Sequence, residues 1–223
     1  PLATLKPRPD PVNLIVHRRY NAEGRTELNI VPGLIGVILT MTMIIFTALA
    51  MTRETERGTM ENLLTMPVRP FEVMLGKILP YIIIGYIQPA VVLAAAYWLF
   101  EVPMTGSLGL LSFVLFFFVA ANLAVGFTFS TLARNQLQAV QMTIFFFLPS
   151  ILLSGFMFPF RGMPVWAQWI GEVLPLTHFL RIVRGILLKG NGMTEIAPHL
   201  LALPAFLPAA PILSRHRYRH PVR

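Results

Sequence analysis

The chain has 223 residues, of which 55% are hydrophobic and only 13% are charged, and its mean hydropathy is +0.66. Soluble domains carry about 25% charged residues, so this composition argues against a soluble globular protein. The formal net charge of +8 does not indicate a nucleic-acid partner, because the basic residues lie in loops and tails rather than on one soluble face. Cys is absent, which excludes disulfides, redox pairs and thiolate metal sites.

Residues 1–29 are polar and rich in proline before the first apolar stretch. A short β-like run, Val12 to Val16, is followed by the turn signal "NAEG". The chain begins at Pro1 without a Met. We therefore expect residues 1–29 to be the end of a soluble domain whose beginning is missing and residues 30–214 to be a transmembrane domain. Residues 215–223 form a basic tail, whose charge favours the cytoplasm.

Five stretches without Asp, Glu, Lys or Arg predict membrane-spanning helices. They are residues 28–52, 78–100, 102–133, 135–160 and 196–214. Roughly 20 apolar residues of helix cross a hydrocarbon core about 30 Å thick, and a helix satisfies its own backbone polar groups. We expect an all-α integral membrane protein with about five spans in this chain. The predicted spans are residues 31–51, 76–100, 107–133, 138–158 and the proline-rich 196–214.

The stretch "RETERGTMENLLTMPVRP", residues 53–70, separates the first two spans. The first span can continue past Thr52 as a charged helix that ends at Gly58. Thr59 can then cap a new short helix, whose first turn holds Glu61 and whose apolar side holds Leu63 and Leu64. Such a helix can lie on lipid or fit a groove on a partner, and the same pattern also suits an ordinary solvated loop.

The segment "FPFRGMPVWAQWIGEVLPLTHFLRIVRGILLKG" is apolar but is broken by Pro159, Pro164 and Pro175. It also carries Trp166 and Trp169, and Trp prefers the headgroup level of a membrane. The pattern therefore predicts short helices in or dipping into the interface rather than another full span.

Three stretches, in the same order, resemble ABC-2 type transporter permeases. "YNAEGRTELNIVPGLIG" resembles the entry to that family's second span, and "RETERGTMENLLTMPVRP" resembles its cytoplasmic loop, with Met66 where the family usually has Thr. "LLSGFMFPFRGMPVWAQWIGEVLPLTHFLRIVRGILLKG" resembles the segment between its last two spans. The resemblance covers residues 12–195 and omits the family's first span and most of its external domain. The proline-rich tail departs from the family's plain final helix.

This resemblance implies a permease subunit of a bacterial ABC exporter in the cytoplasmic membrane. In that arrangement the chain pairs with a second permease copy or a paralogue within the lipid bilayer. A separate ABC ATPase subunit binds ATP and Mg, and this chain binds no cofactor. The loop at residues 53–70 then faces the cytoplasm and receives the movement of the ATPase. Lys and Arg divide evenly between the two sides, so charge alone leaves this orientation open.

The resemblance also implies roles for individual residues. Coupling to the ATPase is expected of Glu54, Glu56, Arg57, Gly58, Thr59, Glu61, Leu63 and Leu64. Closure of the outer face is expected of Met163, Pro164, Trp166, Trp169, Pro175 and His178. Lining of the pathway is expected of Met41, Met43, Gln138, Gln141 and Phe145. Met and Phe in spans are also compatible with helix packing or lipid contact. The amides of Gln138 and Gln141 are also compatible with hydrogen bonds between helices.

The sequence lacks the groups that other membrane functions need. Gly76-Lys77 is followed by Ile78 and has no phosphate-binding glycine pattern, so we expect ATP hydrolysis on another polypeptide. The spans hold no acid or base, which disfavours an ion-coupled transporter, and the five His show no metal-ligand spacing. The alternative function is an intramembrane serine hydrolase using Ser154 and His178, which requires the two side chains to be within hydrogen-bond reach.

Overall fold

The structure of the chain, a computed structural model, describes residues 27–57 and 70–207. Within these ranges the chain forms seven α-helices and two short 3-10 helices, Phe160–Gly162 and Pro204–Phe206. The α-helices are α1 (Glu27–Glu56), α2 (Pro70–Phe100), α3 (Leu108–Leu132), α4 (Gln136–Leu153), α5 (Val165–Glu172), α6 (Pro175–Lys189) and α7 (Met193–Leu200). The expected all-α fold is confirmed over the described residues.

Four of these helices are long and apolar enough to cross a membrane: Glu27–Glu54, Leu79–Phe100, Leu108–Leu132 and Gln136–Leu153. They correspond to the first four predicted spans. As expected, α1 continues past Thr52 as a charged helix. The next helix begins at Pro70, where the missing proline N–H is not needed. Residues 27–29 of the predicted soluble segment belong to α1 instead. The rest of that segment, the predicted short helix after Gly58 and the basic tail lie outside the described residues.

Short polar connections set where α3 and α4 begin. The side chain of Ser107 accepts a hydrogen bond from the backbone N–H of Leu110, 3.3 Å away. The side chain of Asn135 accepts one from the backbone N–H of Gln138 at 2.8 Å. Each bond satisfies a helix N–H that has no intrahelical partner, so both helices start with a side-chain cap.

Helix α1 lies at the centre of the bundle and contacts α2, α3, α4 and α6. Leu39 and Met43 of α1 are fully buried in the main core. On the same core, the ring of Phe118 from α3 stacks on Phe179 from α6, with centroids 4.0 Å apart. More than half (56%) of the most apolar window of α1 is buried, against 17% in both α2 and α4. The outer faces of α2 and α4 are therefore free to meet lipid or another chain.

Hydrogen bonds link α1 to the rest of the bundle at each of its two ends, and we name each end after its residue on α1. At the Glu56 end, the carboxylate of Glu56 contacts Gln136, the first residue of α4. At the Asn29 end, Arg184 of α6 donates to the carbonyl oxygens of Asn29 and Gly155, at 3.3 Å and 3.0 Å. Because α4 starts beside the end of α1 and ends beside its start, the two helices are antiparallel.

Several polar side chains within the spans find partners on the helices themselves, although the buried Thr47 Oγ1 and Asn122 Oδ1 have none among the described residues. The Thr42 hydroxyl of α1 lies 2.9 Å from Oε1 of Gln88 on α2. The Nδ2 of Asn122 donates to the carbonyl of Phe118 at 2.8 Å. Hydrocarbon supplies no alternative partner, so such bonds reduce the cost of keeping these groups in a span. The Gln88 amide thus bonds a neighbouring helix.

Two predicted spans differ from the observed helices. The span expected over 138–158 ends at Leu153, because Gly155 adopts a left-handed conformation with φ +86° and turns the chain. The span expected over 196–214 does not form over its described part, since α7 ends at Leu200 and a 3-10 helix follows at Pro204. The proline at 204 lacks the N–H that a continuing helix would need.

The segment between α4 and α7 is divided into short helices, as predicted. Only part of it lies at the surface, however. Helix α5 exposes Trp166 and Trp169 at 66% and 74%, whereas α6 is buried along most of its length, from Pro175 to Leu187. Helix α6 therefore belongs to the core, and α5 covers its beginning.

Candidate functional site

The Glu56 end contains the described part of the predicted coupling segment. Glu56 accepts hydrogen bonds from the backbone N–H of Gln136 at 2.7 Å and from its side-chain amide. These bonds, the side-chain one first, hold the pKa of the Glu56 carboxyl below its ordinary value. A carboxylate is favoured at this place because the N-terminus of α4 carries a partial positive charge. The contact ties the end of α1 to the start of α4.

The remaining coupling residues fall into two groups. Glu54 is half-buried and Arg57 is exposed. The backbone N–H of Arg57 donates a hydrogen bond to the carbonyl of Arg53 at 3.1 Å. Gly58, Thr59, Glu61, Leu63 and Leu64 lie outside the described residues. The structure thus places only the described part of this segment, Glu54 to Arg57, at the Glu56 end of the bundle, and the roles of all its residues stay predictions.

The residues expected to close the outer face all lie toward the Asn29 end, on α5, on α6 and on the turn before α5. Pro164 precedes α5, and the carbonyl of Met163 accepts a hydrogen bond from Gln168 Nε2 at 2.8 Å. Trp166 and Trp169 are exposed on α5, whereas Pro175 and His178 are buried on α6. The set therefore combines an exposed aromatic face with two core residues.

His178 is engaged by groups other than Ser154. Its Nε2 lies 2.9 Å from the carbonyl oxygen of Glu172, and its Nδ1 lies 3.4 Å from Nδ1 of His199. Ser154 is buried after α4, and its hydroxyl has no hydrogen-bond partner among the described residues. A serine nucleophile needs its base within hydrogen-bond reach, so the arrangement argues against a serine hydrolase.

The residues expected to line a pathway are not gathered on one surface. Met43 is fully buried in the core, while Met41 is 42% exposed. Gln141 and Phe145 lie one turn apart on the exposed side of α4. Gln138 instead caps the start of α4, since its Oε1 accepts a hydrogen bond from the backbone N–H of Arg134 at 2.8 Å. Met43 therefore serves core packing and Gln138 serves capping of α4. The pathway role of all five residues stays a prediction.

Sequence reasoning missed a cluster of cations at the Asn29 end. Arg181 makes two hydrogen bonds to the carboxylate of Glu172, at 3.0 Å and 2.6 Å, and its guanidinium lies 4.5 Å from the centre of the Phe160 ring. The Arg181 hydrogen bond is the main reason that the pKa of Glu172 is lowered. The signal in the sequence was the three-residue spacing of Arg181 and Arg184, which places both on one side of a helix.

Comparison with known proteins connects this bundle to a family. The chain matches the ABC-2 type transporter family over residues 13–188. It is 35% identical over 188 residues to the "Probable multidrug ABC transporter permease YbhR" of Escherichia coli K12, covering 84% of this chain and 51% of the relative. It is 33% identical over 187 residues to "Probable multidrug ABC transporter permease YbhS" of the same strain, covering 83% of this chain and 50% of the relative.

A third relative, the "Inner membrane transport permease YhhJ" of the same strain, is 32% identical over 176 residues, covering 78% of this chain and 47% of the relative. The chain thus spans about half the length of these relatives. The matched residues contain the four long apolar helices and the segments at both ends of the bundle. The protein is a multi-pass membrane protein, and it belongs to the ABC-2 type transporter family.

Proposed function

We propose that the chain is the membrane-spanning subunit of an ABC exporter, which forms a substrate pathway and couples to a separate ATPase. The main support is family membership together with the geometry of the Glu56 end. There, the charged extension of α1 leads directly into residues 58–69 and is hydrogen-bonded to α4. A force applied to this extension reaches two spanning helices at once.

The proposal places residues 53–69 on the cytoplasmic face of a bacterial inner membrane. The ATPase subunit binds ATP and Mg, and its movement enters this chain through Glu54, Glu56, Arg57 and the residues from Gly58 to Leu64. A second permease copy or a paralogue pairs with the exposed apolar faces, and the pathway forms between the two chains. The names of the E. coli relatives support drugs as the class of substrate that is exported.

The test uses the tagged chain, extended to its full natural length and purified from gently solubilised native membranes. We expect an ATP-binding subunit to co-purify with ATP hydrolysis activity. Gly58→Pro and Glu61→Arg should reduce either the co-purification or the hydrolysis, while insertion into the membrane stays unchanged. The matched control is Glu27→Arg, which reverses an exposed charge at the opposite end of α1.

The outcomes separate the possibilities. Loss of ATPase in both loop variants, with normal behaviour of Glu27→Arg, supports coupling through this loop. No ATPase with the unmodified protein, under conditions that keep a known ABC complex intact, would overturn the proposal. Equal co-purification and hydrolysis in all three variants would place the coupling elsewhere in the chain.

A further inference from the structure

A cavity of about 780 Å³ lies at the Asn29 end, outside the segment that the proposed coupling uses. The start of α1, the Phe160–Gly162 turn, α5, the second half of α6 and His199 of α7 form its walls. Its charged lining consists of Arg161, Arg181, Arg184, Lys189 and Glu172. Among the described lining residues there are therefore four cations and one carboxylate, and we call this cavity the cationic pocket.

Glu172, the carboxylate among the described lining residues, pairs with only one of the three arginines of the pocket. Glu172 is already held by both terminal nitrogens of Arg181, at 3.0 Å and 2.6 Å. Within the described part of the chain, this is the ion pair that the arginines of the pocket make. The guanidinium groups of Arg161 and Arg184 therefore contribute positive charge that no described carboxylate neutralises.

Arg184 is fixed in place by neutral acceptors. Its guanidinium donates to the carbonyl oxygens of Asn29 and Gly155, which belong to the start of α1 and the turn after α4. Arg184 is half-buried, so its positive charge is partly removed from water, and this burial lowers its pKa. A partly buried cation is costly unless an anion compensates it, so the position favours an anionic ligand.

Arg161 and His199 line opposite parts of the cationic pocket, its rim and its inner wall. Arg161 is exposed on the Phe160–Gly162 turn and makes no hydrogen bond or ion pair with another described residue. Burial, followed by the charges of Arg181 and His178, lowers the pKa of His199. The pocket thus has an exposed cation, Arg161, on its rim and the positive charges of Arg181 and Arg184 inside it.

A second, apolar cavity of about 430 Å³ is also lined by the Phe160–Gly162 turn and by α5. Leu152, Phe158, Met163 and Trp166 are among its lining residues, and Gly162 of its wall directly follows Arg161 of the cationic pocket. Trp166 is 66% exposed, as expected for an indole at the boundary of a membrane. A molecule with a charged head and an apolar chain can therefore contact both cavities across the Phe160–Gly162 turn.

We propose that the cationic pocket binds the phosphate group of an anionic amphiphile whose apolar part lies in the neighbouring apolar cavity. Guanidinium groups match phosphate because they present parallel N–H donors in a planar fork. Arg184 supplies the fixed positive charge and Arg161 closes over the ligand from the rim. This site goes beyond the proposed function, since it lies at the end of the bundle opposite the coupling segment and needs no ATPase to bind.

The test measures binding of dioctanoyl phosphatidic acid to the purified full-length chain in an uncharged detergent at low salt. Inorganic phosphate and dioctanoyl phosphatidylcholine serve as the headgroup-only and zwitterionic probes. We expect saturable binding of the phosphatidic acid that weakens as salt increases. Arg161→Gln should weaken it about tenfold, since one charge-assisted hydrogen bond is lost, and Arg161→Lys should restore part of it.

The matched control is Arg134→Gln, which removes an exposed arginine at the Glu56 end. It should leave binding unchanged, and both Arg161 variants should melt at the same temperature as the unmodified protein, because Arg161 makes no described contact. Trp166→Ala should weaken phosphatidic acid binding and leave inorganic phosphate binding unchanged.

Three results would contradict the proposal. Absence of saturable binding, or equal affinity of the unmodified protein and Arg161→Gln, would overturn the site. Equal binding of phosphatidylcholine would overturn the assignment of charge recognition. If inorganic phosphate binds as tightly as phosphatidic acid, the ligand of the pocket is free phosphate and not an amphiphile. None of these measurements depends on an ATPase, so they fail or succeed separately from the proposed function.

Discussion

His199 is the residue from which we expect an acid-dependent stability of the Asn29 end. The ring is half-buried on α7, with its Nδ1 3.4 Å from Nδ1 of His178, and it faces Arg181 and Glu172. Burial is the first reason that its pKa lies below the ordinary 6.5, and the charges of Arg181 and His178 add to it. The folded protein therefore binds a proton at this site less readily than the unfolded chain does.

The sign of the pH dependence follows from this direction. A histidine with a lowered pKa contributes stability that is present above 6.5 and is lost as the pH falls from 6.5 through the folded pKa. We expect the melting temperature of the full-length protein in detergent to fall between pH 7 and pH 5, and His199→Gln to flatten this fall. Glu172, whose pKa is lowered chiefly by Arg181, adds a further loss only below its ordinary value of 4.5.

The control for this pH series lies on the same helix. Glu195→Gln changes an exposed group whose pKa is below 4.5, so it should leave the slope above pH 5 unchanged. Melting temperatures are recorded by scanning fluorimetry at half-unit steps of pH. An equally steep fall in His199→Gln would show that other groups cause the acid sensitivity.

At the scale of elements, α1 and α3 approach closely enough to require a glycine. A Cβ placed on Gly126 of α3 would lie 2.7 Å from the carbonyl oxygen of Ile44 and 2.9 Å from Cβ of Thr47, both on α1. Close approach at small residues is a common way to pack helices in membranes, where hydrocarbon gives no hydrophobic drive between them. The backbone atoms on α1 cannot move aside as a flexible side chain could.

Gly126→Ala should therefore separate the two helices and lower the free energy of unfolding by about 1–3 kcal/mol. Gly109→Ala on the same helix is the matched control, because its new Cβ would meet only Ser107 Oγ at 3.6 Å, an ordinary contact. Unfolding of both variants in detergent gives the comparison. If Gly126→Ala is as stable as Gly109→Ala, the two helices are not held at this distance.

The sequence predicted the four long helices well, because their apolar length is imposed by the thickness of a bilayer. It predicted less well where α4 ends, since that depends on packing: a Cβ on Gly171 of α5 would lie 2.5 Å from the Leu153 carbonyl oxygen. The burial of α6 was also missed, because apolar residues facing protein and facing lipid look alike in a sequence. Likewise, no local pattern indicates that Glu56 meets Gln136, 80 residues away.

At the scale of the whole molecule, α1 links two ends with different chemistry. Its 30 residues extend about 45 Å, from the cationic pocket to the coupling segment. It is packed against α2, α3, α4 and α6 along the way. A displacement of its Glu56 end is therefore passed to the Asn29 end by one continuous helix, and Glu56 moves α4 with it.

This view predicts the effect of Glu56→Ala in the full-length protein bound to the proposed ATPase subunit. The backbone N–H of Gln136 loses its acceptor, so amide exchange at the start of α4 should become severalfold faster. In the unmodified complex, addition of ATP should change exchange over residues 155–162 at the Asn29 end. Glu56→Ala should reduce that change while the ATPase stays bound, because α4 no longer follows α1.

Hydrogen exchange measured by mass spectrometry reads both regions in one experiment. Glu27→Ala, at the other end of the same helix, is the control for loss of an exposed carboxylate, and it should leave the ATP-dependent change intact. Faster exchange at Gln136 with an undiminished ATP response at residues 155–162 would show that the signal bypasses the Glu56 contact. A response lost in Glu56→Ala and kept in Glu27→Ala would identify this hydrogen-bonded junction as the route by which nucleotide binding reaches the opposite face.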